Sequence, residues 1–193
     1  MDFNAMLNRV IRAARLDVSL YNEVEADASL NREALYVVII VSVLSGIGSF
    51  LAGLINASII AALIGLVVGV AFGILGYYLF GYLCHWIGTS MFKGQGDVGE
   101  VLRTVGYASG VRAVGVLAFI PCIGPLIGIA ALVWWIATSV VAVRESVDID
   151  TGNAVATAVI SGLILIAIYV AVALVVGLVG GVAAFGLSAL TGM

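Results

Sequence analysis

Long uncharged stretches alternate with short charged ones along this chain. Three stretches carry no charged residue: 34–92, 113–143 and 151–193. A helix of about 20 apolar residues crosses a bilayer, and the first stretch is long enough for two such helices. We therefore predict an all-α integral membrane protein, a five-span transmembrane helix bundle with spans at about 34–54, 58–84, 104–120, 125–143 and 154–178.

The number of spans depends on how residues 104–143 cross the membrane. They form either two spans joined by a hairpin at Pro121–Pro125 or one long broken helix from Ala113 to Val143. With five spans and the N-terminus inside, all eight Lys and Arg residues lie on the cytoplasmic side or at helix ends facing it. The four-span alternative leaves Arg144 outside, against the positive-inside bias. We therefore predict five spans, a cytoplasmic N-terminus and a C-terminus outside.

Residues 1–33 precede the first span as a polar N-terminal segment. Its first part has the spacing of an amphipathic helix, with an apolar face opposite three arginines. The apolar residues are Phe3, Met6, Leu7, Val10, Ile11 and Ala14, and the arginines are Arg9, Arg12 and Arg15. Such a helix lies either in the headgroup layer, attracted by anionic lipid, or on the protein's own cytoplasmic surface. We expect the stretch from Asp17 to Arg32 to be an acidic turn or linker.

Small residues recur at every fourth position in the second predicted span and again in the fifth. The rows are Ala57, Ala61, Gly65, Gly69 and Gly73, and then Gly177 and Gly181. Four-residue spacing places each row on one helix face, where another helix backbone can approach closely. We predict helix packing at these rows of the 34–193 membrane domain. The row in the fifth span is a face either for a homo-oligomer or for packing within the molecule. The glycines at 177–181 also predict a break in the last helix, because its uncharged stretch exceeds one bilayer crossing.

Composition narrows the class of protein further. Of the 193 residues, 63% are hydrophobic and only 10% are charged, which excludes an ordinary soluble domain. The net charge of −3 offers no basic face for a nucleic acid. The expected partner is the lipid bilayer.

The loop before the third predicted span carries three polar candidates. Asp97 and Glu100 have the spacing of a capping box at a helix start, and Arg103 follows in the same helix. Together with the segments 1–33 and 144–153, the loop region 87–103 would form a surface for a cytoplasmic protein partner.

Arg112 lies deeper in the third predicted span. An arginine at mid-membrane costs roughly 2.5–3.5 kcal/mol, so it must snorkel, face protein or line a wet cavity. Trp134 and Trp135 lie in the middle of the fourth predicted span, where each indole N–H needs an acceptor. The default interpretation is that the tryptophans pack in the core and that Arg112 reaches the headgroups from a shallow or tilted helix. The alternative is that the three residues line a cavity for a small molecule or a lipid.

Catalytic chemistry has little support in this sequence. There is one histidine, no nucleophile motif and no carboxylate pair within a span, and every acidic residue lies outside the predicted spans. Cys84 and His85 are adjacent but lack further ligands for a metal ion. We therefore expect no catalytic residues, no cofactor and no metal site.

Several short motifs are shared with one family of membrane proteins. The motifs are Phe92–Gly96, Val101–Ser109, Ile120–Gly124, Trp134, Ala142–Glu145 and, in the N-terminal segment, Arg12–Tyr21. Together they resemble the Yip-domain family, integral membrane proteins named for interaction with Rab-type (Ypt) GTPases. The resemblance implies five spans, a cytoplasmic N-terminus and an outward or lumenal C-terminus. It is strongest to prokaryotic members, since eukaryotic ones usually carry longer N-terminal regions.

One departure from the family pattern concerns the third helix. Gly110-Val111 stands where such proteins often carry a proline after the Tyr-Ala-Ser run, which leaves a kink in that helix open.

Two functions follow from these observations. The leading hypothesis is a non-enzymatic membrane scaffold or adaptor of the Yip-like type in a prokaryotic cell membrane. The alternative is a small-molecule or lipid conduit with a cavity near Arg112, Trp134 and Trp135. Exchange of Arg112 for leucine would spare a scaffold and abolish a polar pathway, so this residue discriminates between the two.

Overall fold

The computed structural model describes residues 2–55 and 59–191, with side chains described up to residue 178 except those of residues 61 and 118. This part of the chain is helical throughout, with short connections. The α-helices are α1 Phe3–Ala14, α2 Val18–Ala26, α3 Asn31–Ile55, α4 Ile59–Phe92, α5 Val98–Ala108, α6 Ile123–Ser146 and α7 Thr151–Thr191. Two 3-10 segments, Ala28–Leu30 and Ser109–Phe119, lie before α3 and after α5.

Four of these helices are long and apolar enough to cross a membrane. The candidate spans are Ala28–Ile55, Ala62–Phe92, Ile123–Ser146 and Thr151–Leu178. They correspond to four of the five predicted spans. The chain is therefore a multi-span helical membrane protein.

The third predicted span, a helix over 104–120, is the one that is not confirmed. The α-helix ends at Ala108, and the chain continues as a 3-10 segment. Ser109 Oγ donates to the carbonyl of Gly106 at 2.6 Å, and Thr138 Oγ1 donates to that of Ala108 at 3.1 Å. These hydroxyls compete for carbonyls that an α-helix would bond to its own amides, which favours the tighter 3-10 winding.

The helices α3 and α4 form a closely packed antiparallel pair. A Cβ added at Gly73 would lie 2.4 Å from Ser42 Oγ, and one added at Gly69 would lie 3.4 Å from Gly46 Cα. Gly65 faces the next turn of α3. The missing side chains therefore bring the two backbones together.

The other small residues in the predicted rows have a different setting. Ala57 lies outside the described residues, as do the side chain of Ala61 and the surroundings of Gly181. A Cβ added at Gly177 would meet no described atom within 4 Å.

The predicted break at 177–181 is wrong, because α7 continues as an α-helix to Thr191. Glycine is tolerated in helices within lipid, where no water competes for the backbone hydrogen bonds. The glycines alone therefore do not interrupt the helix.

The prediction of a linker from Asp17 to Arg32 is also wrong. Most of this stretch is α2, whose residues Leu20, Tyr21 and Val24 are fully buried. Their spacing places them on one helix face, which packs on α5 and α6. Glu23, which lies between them, is exposed on the outer face, so an amphipathic helix was mistaken for a linker.

Candidate functional site

One end of the bundle holds nearly all the charged side chains, and we call it the polar end. It comprises α1, α2, α5, the loop 93–97, the turn 147–150 and the adjoining ends of α3 and α6. Every charged residue except Arg112 lies in or next to these elements.

The glycine-rich loop 93–97 lies flat against the end of α6. Gln95 N donates to the carbonyl of Val147 at 2.9 Å. A Cβ added at Gly96 would lie 1.7 Å from the carbonyl oxygen of Ser146, so no side chain fits there. Gly94 is similarly crowded, against Val147. Both glycines of the loop 93–97 therefore permit close backbone contact.

Asp97 and Glu100 form the predicted capping box at the start of α5. Glu100 N donates to Asp97 Oδ1 at 2.9 Å, and Asp97 N donates to Glu100 Oε2 at 2.7 Å. Both carboxylates thus bond the first amides of the helix, which otherwise lack partners.

Arg103 joins α5 to the N-terminal segment. Its side chain is 5% exposed and donates to the carbonyls of Val24, at 3.0 Å, and Glu25. It also donates to Asn31 Oδ1 at 3.1 Å. The two carbonyls belong to the last turn of α2, where helical partners are missing and a cation is favoured. Arg103 therefore positions α2.

A second network ties α1 to α2, α3 and α5. Glu33 Oε1 accepts hydrogen bonds from Arg9 Nη1 at 2.8 Å and from Tyr107 OH at 2.6 Å. Glu23 pairs with Arg9 at 3.3 Å and with Arg12 at 2.8 Å. Neither Glu33 nor Tyr107 was predicted from the sequence as a site residue. The only sequence signal was an isolated glutamate at the edge of the first uncharged stretch.

Two apolar faces of α1 have different surroundings. Met6 and Ala13 are buried against the bundle, whereas Phe3, Leu7 and Ile11 are 61%, 46% and 44% exposed. The exposed residues are four apart, so they form one stripe along the helix. This helix therefore packs on the protein and also presents an apolar surface outward.

The two tryptophans of α6 face different neighbours. Trp134 Nε1 donates to the carbonyl of Ala14 at 2.7 Å, at the end of α1. Trp135 packs on Phe80 of α4, with 5.0 Å between ring centroids. Of the two, Trp135 lines cavities inside the bundle, whereas Trp134 has no part in them.

Arg112 lies in the second 3-10 segment and faces Trp135. Its guanidinium carbon is 5.2 Å from the ring centroid, within the range of a cation–π interaction. Within the described part of the chain, no ion pair or hydrogen bond to a side chain or carbonyl engages this guanidinium. No carboxylate in the described part of the chain therefore balances the charge of Arg112.

Two cavities meet at Arg112. The first, of about 320 Å³, lies among α3, α4, α6 and α7, and we call it the Ser139 cavity. The second, of about 400 Å³, lies among α3, the 3-10 segment and the first half of α6, and we call it the Ser45 cavity. Arg112, Leu132 and Trp135 line both.

The Ser139 cavity carries two further hydrogen-bond donors. Trp135 Nε1 and Ser139 Oγ are buried and have no hydrogen-bond partner among the described residues. Tyr169, another lining residue, is already bonded to the carbonyl of Phe72 at 2.8 Å. Ser139 was missed in the sequence, although it lies four residues after Trp135 on the same face of α6.

These features define a polytopic helical membrane protein with a folded polar end and one unpaired arginine inside the bundle. A family model described as the Yip1 domain matches residues 19–174, from α2 through most of α7. The chain belongs to the Yip1-domain family, as the motifs indicated. No curated protein and no solved structure matches it.

Proposed function

We propose that this chain is a non-enzymatic membrane adaptor that presents its polar end to a cytoplasmic protein. The observation that supports this is the fixed arrangement of the polar end. Arg103 and Glu33 hold the N-terminal segment against α5 through short hydrogen bonds. The loop 93–97 is bonded to the turn after α6. Three separate segments thus form one surface that needs little ordering when a partner binds.

The exposed part of this surface carries charged and polar side chains. They are Lys93, Gln95, Asp148 and Asp150. Side chains of mixed charge at the rim of a contact give specificity through charge complementarity.

Reversal of two charges tests the adaptor role. Tagged wild-type protein and an Asp148→Lys, Asp150→Lys variant would be captured from membranes in mild detergent. Asn8→Lys is a control outside the exposed patch of Lys93, Gln95, Asp148 and Asp150. We expect proteins retained by the wild type and by the control to be lost from the double variant. An identical set of bound proteins in all three samples would exclude this surface as the docking site.

We propose five crossings, with the 3-10 segment Ser109–Phe119 completing the third. Its 11 residues rise about 22 Å, since a 3-10 helix advances about 2.0 Å per residue. Gly106 contacts Ala34 near the start of α3, and Gly115 lies close to Ser45 further along it. The segment therefore runs beside α3 through much of the membrane, which supports chain ends on opposite sides. Because the Lys and Arg residues other than Arg112 collect at the polar end, we propose that the N-terminus is cytoplasmic and the C-terminus outside, in a prokaryotic cell membrane.

Thiol labelling tests this topology. Cys122 is exposed in the turn before α6, whereas Cys84 is buried and should not react with a polar reagent. An impermeant maleimide should label Cys122 on intact cells, and should label Ser29→Cys only after the membrane is opened. Labelling of Cys122 only after opening would contradict five crossings.

We also propose that α1 lies in the headgroup layer. Its exposed stripe of Phe3, Leu7 and Ile11 needs an apolar environment. Exposed aromatic residues mark the membrane interface, and Trp86 lies exposed near the end of α4 that adjoins the polar end.

A conduit is the second candidate, because the Ser139 and Ser45 cavities lie in series along α3. Ser42 lines the first and Ser49 the second, with Arg112 bordering both. Vesicles with a fluorescent phosphatidylglycerol would measure passage between leaflets. Under this candidate the wild type accelerates exchange and Arg112→Leu does not. Exchange equal to that of protein-free vesicles would remove the conduit and leave the adaptor untouched.

A further inference from the structure

The charge of Arg112 has no ionic partner within the described part of the chain. A charged side chain within a membrane is costly unless it is paired or reaches water. The ring of Trp135 lies beside Arg112, but no carboxylate among the described residues pairs with the guanidinium. Cation–π contact offsets only part of the lost hydration, typically about 0.5–2 kcal/mol. An anion that enters from outside would complete the site.

The Ser139 cavity supplies further donors for that anion. Ser139 is 1% exposed, and its hydroxyl has no described partner. The indole N–H of Trp135 is buried and unpartnered as well. A guanidinium, an indole N–H and a hydroxyl are all donors, so the cavity suits an acceptor-rich group such as a phosphate.

The route into the cavity points to a lipid. Its outer wall includes Leu132 and Ile136 of α6 and Leu163 and Ile166 of α7. These residues are 52%, 40%, 61% and 58% exposed, so the cavity adjoins the apolar surface between the two helices. That surface faces acyl chains in a bilayer, so a lipid can enter sideways.

We propose that the Ser139 cavity binds one anionic membrane lipid, with its phosphate at Arg112 and its acyl chains leaving between α6 and α7. A volume of about 320 Å³ suits a headgroup and the first part of a chain. The rest of the chains would lie on the exposed residues of the outer wall. This binding does not require that the polar end has a protein partner.

Native mass spectrometry of the full chain in detergent tests the proposal. The probes are phosphatidylglycerol and phosphatidylcholine with identical acyl chains, because they differ in net charge. We expect one retained phosphatidylglycerol, preferred about tenfold over phosphatidylcholine, because phosphatidylcholine would bring its choline cation close to the positive charge of Arg112. Equal retention of the two lipids by the wild type would overturn the proposal.

Variants locate the bound lipid. Arg112→Gln should reduce the preference to about one, whereas Arg15→Gln, which removes an exposed arginine of α1, should leave it unchanged. Ser139→Ala and Trp135→Phe each remove one donor to the phosphate and should lower the retention of phosphatidylglycerol about threefold. These two variants carry the test if Arg112→Gln does not purify as a single species. Full retention by both, or an equal loss in Arg15→Gln, would overturn the assignment to this cavity.

A competition experiment separates a lipid site from a site for a free anion. Water-soluble glycerophosphoglycerol carries the same phosphodiester headgroup without acyl chains. We expect it to leave phosphatidylglycerol bound at equal concentration, because it lacks contacts with the outer wall. Displacement at equal concentration would show a free-anion site and overturn the proposal of a lipid.

Discussion

The polar end and the membrane-crossing part of this molecule are held together by different forces. At the polar end, residues such as Tyr21 and Val101 are fully buried, and hydrogen bonds join α2 to both α1 and α5. In the membrane windows of α4 and α7, only 17% and 11% of the residues are buried. Contact there depends on small residues such as Gly73. The first region folds like a small soluble domain, whereas the second is stabilised by close backbone packing within lipid.

This difference predicts which substitutions matter in each region. At the polar end, damage should come from leaving a buried polar group without its partner. In the membrane part, damage should come from adding volume where two backbones meet. Arg112 is the exception, since it brings an ionic group into the second region.

The largest effect is expected from Arg103→Ala. The carbonyls of Val24 and Glu25 would remain buried without their donor, at a cost of about 3 kcal/mol in the free energy of unfolding. Thermal unfolding in detergent measures this cost, and faster tryptic cleavage in residues 1–33 would show that α2 has detached. Arg15→Ala is the control, because Arg15 is exposed. Equal stability of the two variants would show that the polar end is not held by this contact.

Gly73→Val should have the next largest effect. Its Cβ would lie within 2.4 Å of Ser42 Oγ, so α3 and α4 must separate, at a cost of about 2 kcal/mol. Gly177→Val is a matched control, since its Cβ meets no described atom.

Thermal unfolding and size-exclusion chromatography distinguish the outcomes of this pair. We expect only Gly73→Val to lower stability. A smaller oligomer for Gly177→Val would instead assign that glycine to the homo-oligomer interface predicted from the sequence.

A pH effect should be confined to the polar end. Burial, together with the charges of Asp148, Glu100 and Glu145, raises the pKa of Glu25 to about 7, which the nearby Arg103 partly opposes. The folded protein therefore holds this proton more tightly than the unfolded chain, so stability should fall as pH rises from about 5 to above 7. In thermal unfolding across this range, Glu25→Gln should flatten the dependence. The same slope in wild type and variant would assign it to other groups.

The smallest effect is expected on the exposed face of α1. A polarity-sensitive dye on Leu7→Cys should emit as in an apolar medium, and on the exposed neighbour Asn8→Cys as in water, both in a Cys122→Ser background. Stability should change by less than about 0.5 kcal/mol, because ion pairs and buried residues hold the other face. Equal emission from the two sites would place α1 outside the headgroup layer.

The helices of the membrane part were predictable because lipid imposes a simple rule of length and charge. The uncharged stretches 34–92 and 154–178 gave three of the four long helices directly. The 3-10 segment was not predictable, because it depends on Thr138, far along the chain, bonding to the carbonyl of Ala108. A break was predicted at the glycines 177–181 because the uncharged stretch exceeds one bilayer crossing. The helix continues because the cost of glycine to a helix in water does not apply in lipid.

The candidate site was only partly predictable. Arg112 was identified by its position within an apolar stretch. The choice between Trp134 and Trp135 needs the rotation of α6 relative to its neighbours, since adjacent helical residues point about 100° apart. The ligand set of the cavity also depends on Ser139, whose hydroxyl is ordinary in sequence and becomes informative once its partner is missing.

The two adjacent tryptophans give α6 a mechanical connection between distant parts of the molecule. Trp134 holds the carbonyl of Ala14, while Trp135 borders the space beside Arg112. A helix rotates as a rigid rod, so any turn of α6 that widens this space would also pull on the end of α1. Binding of a ligand in the Ser139 cavity would thereby be transmitted to the end of α1.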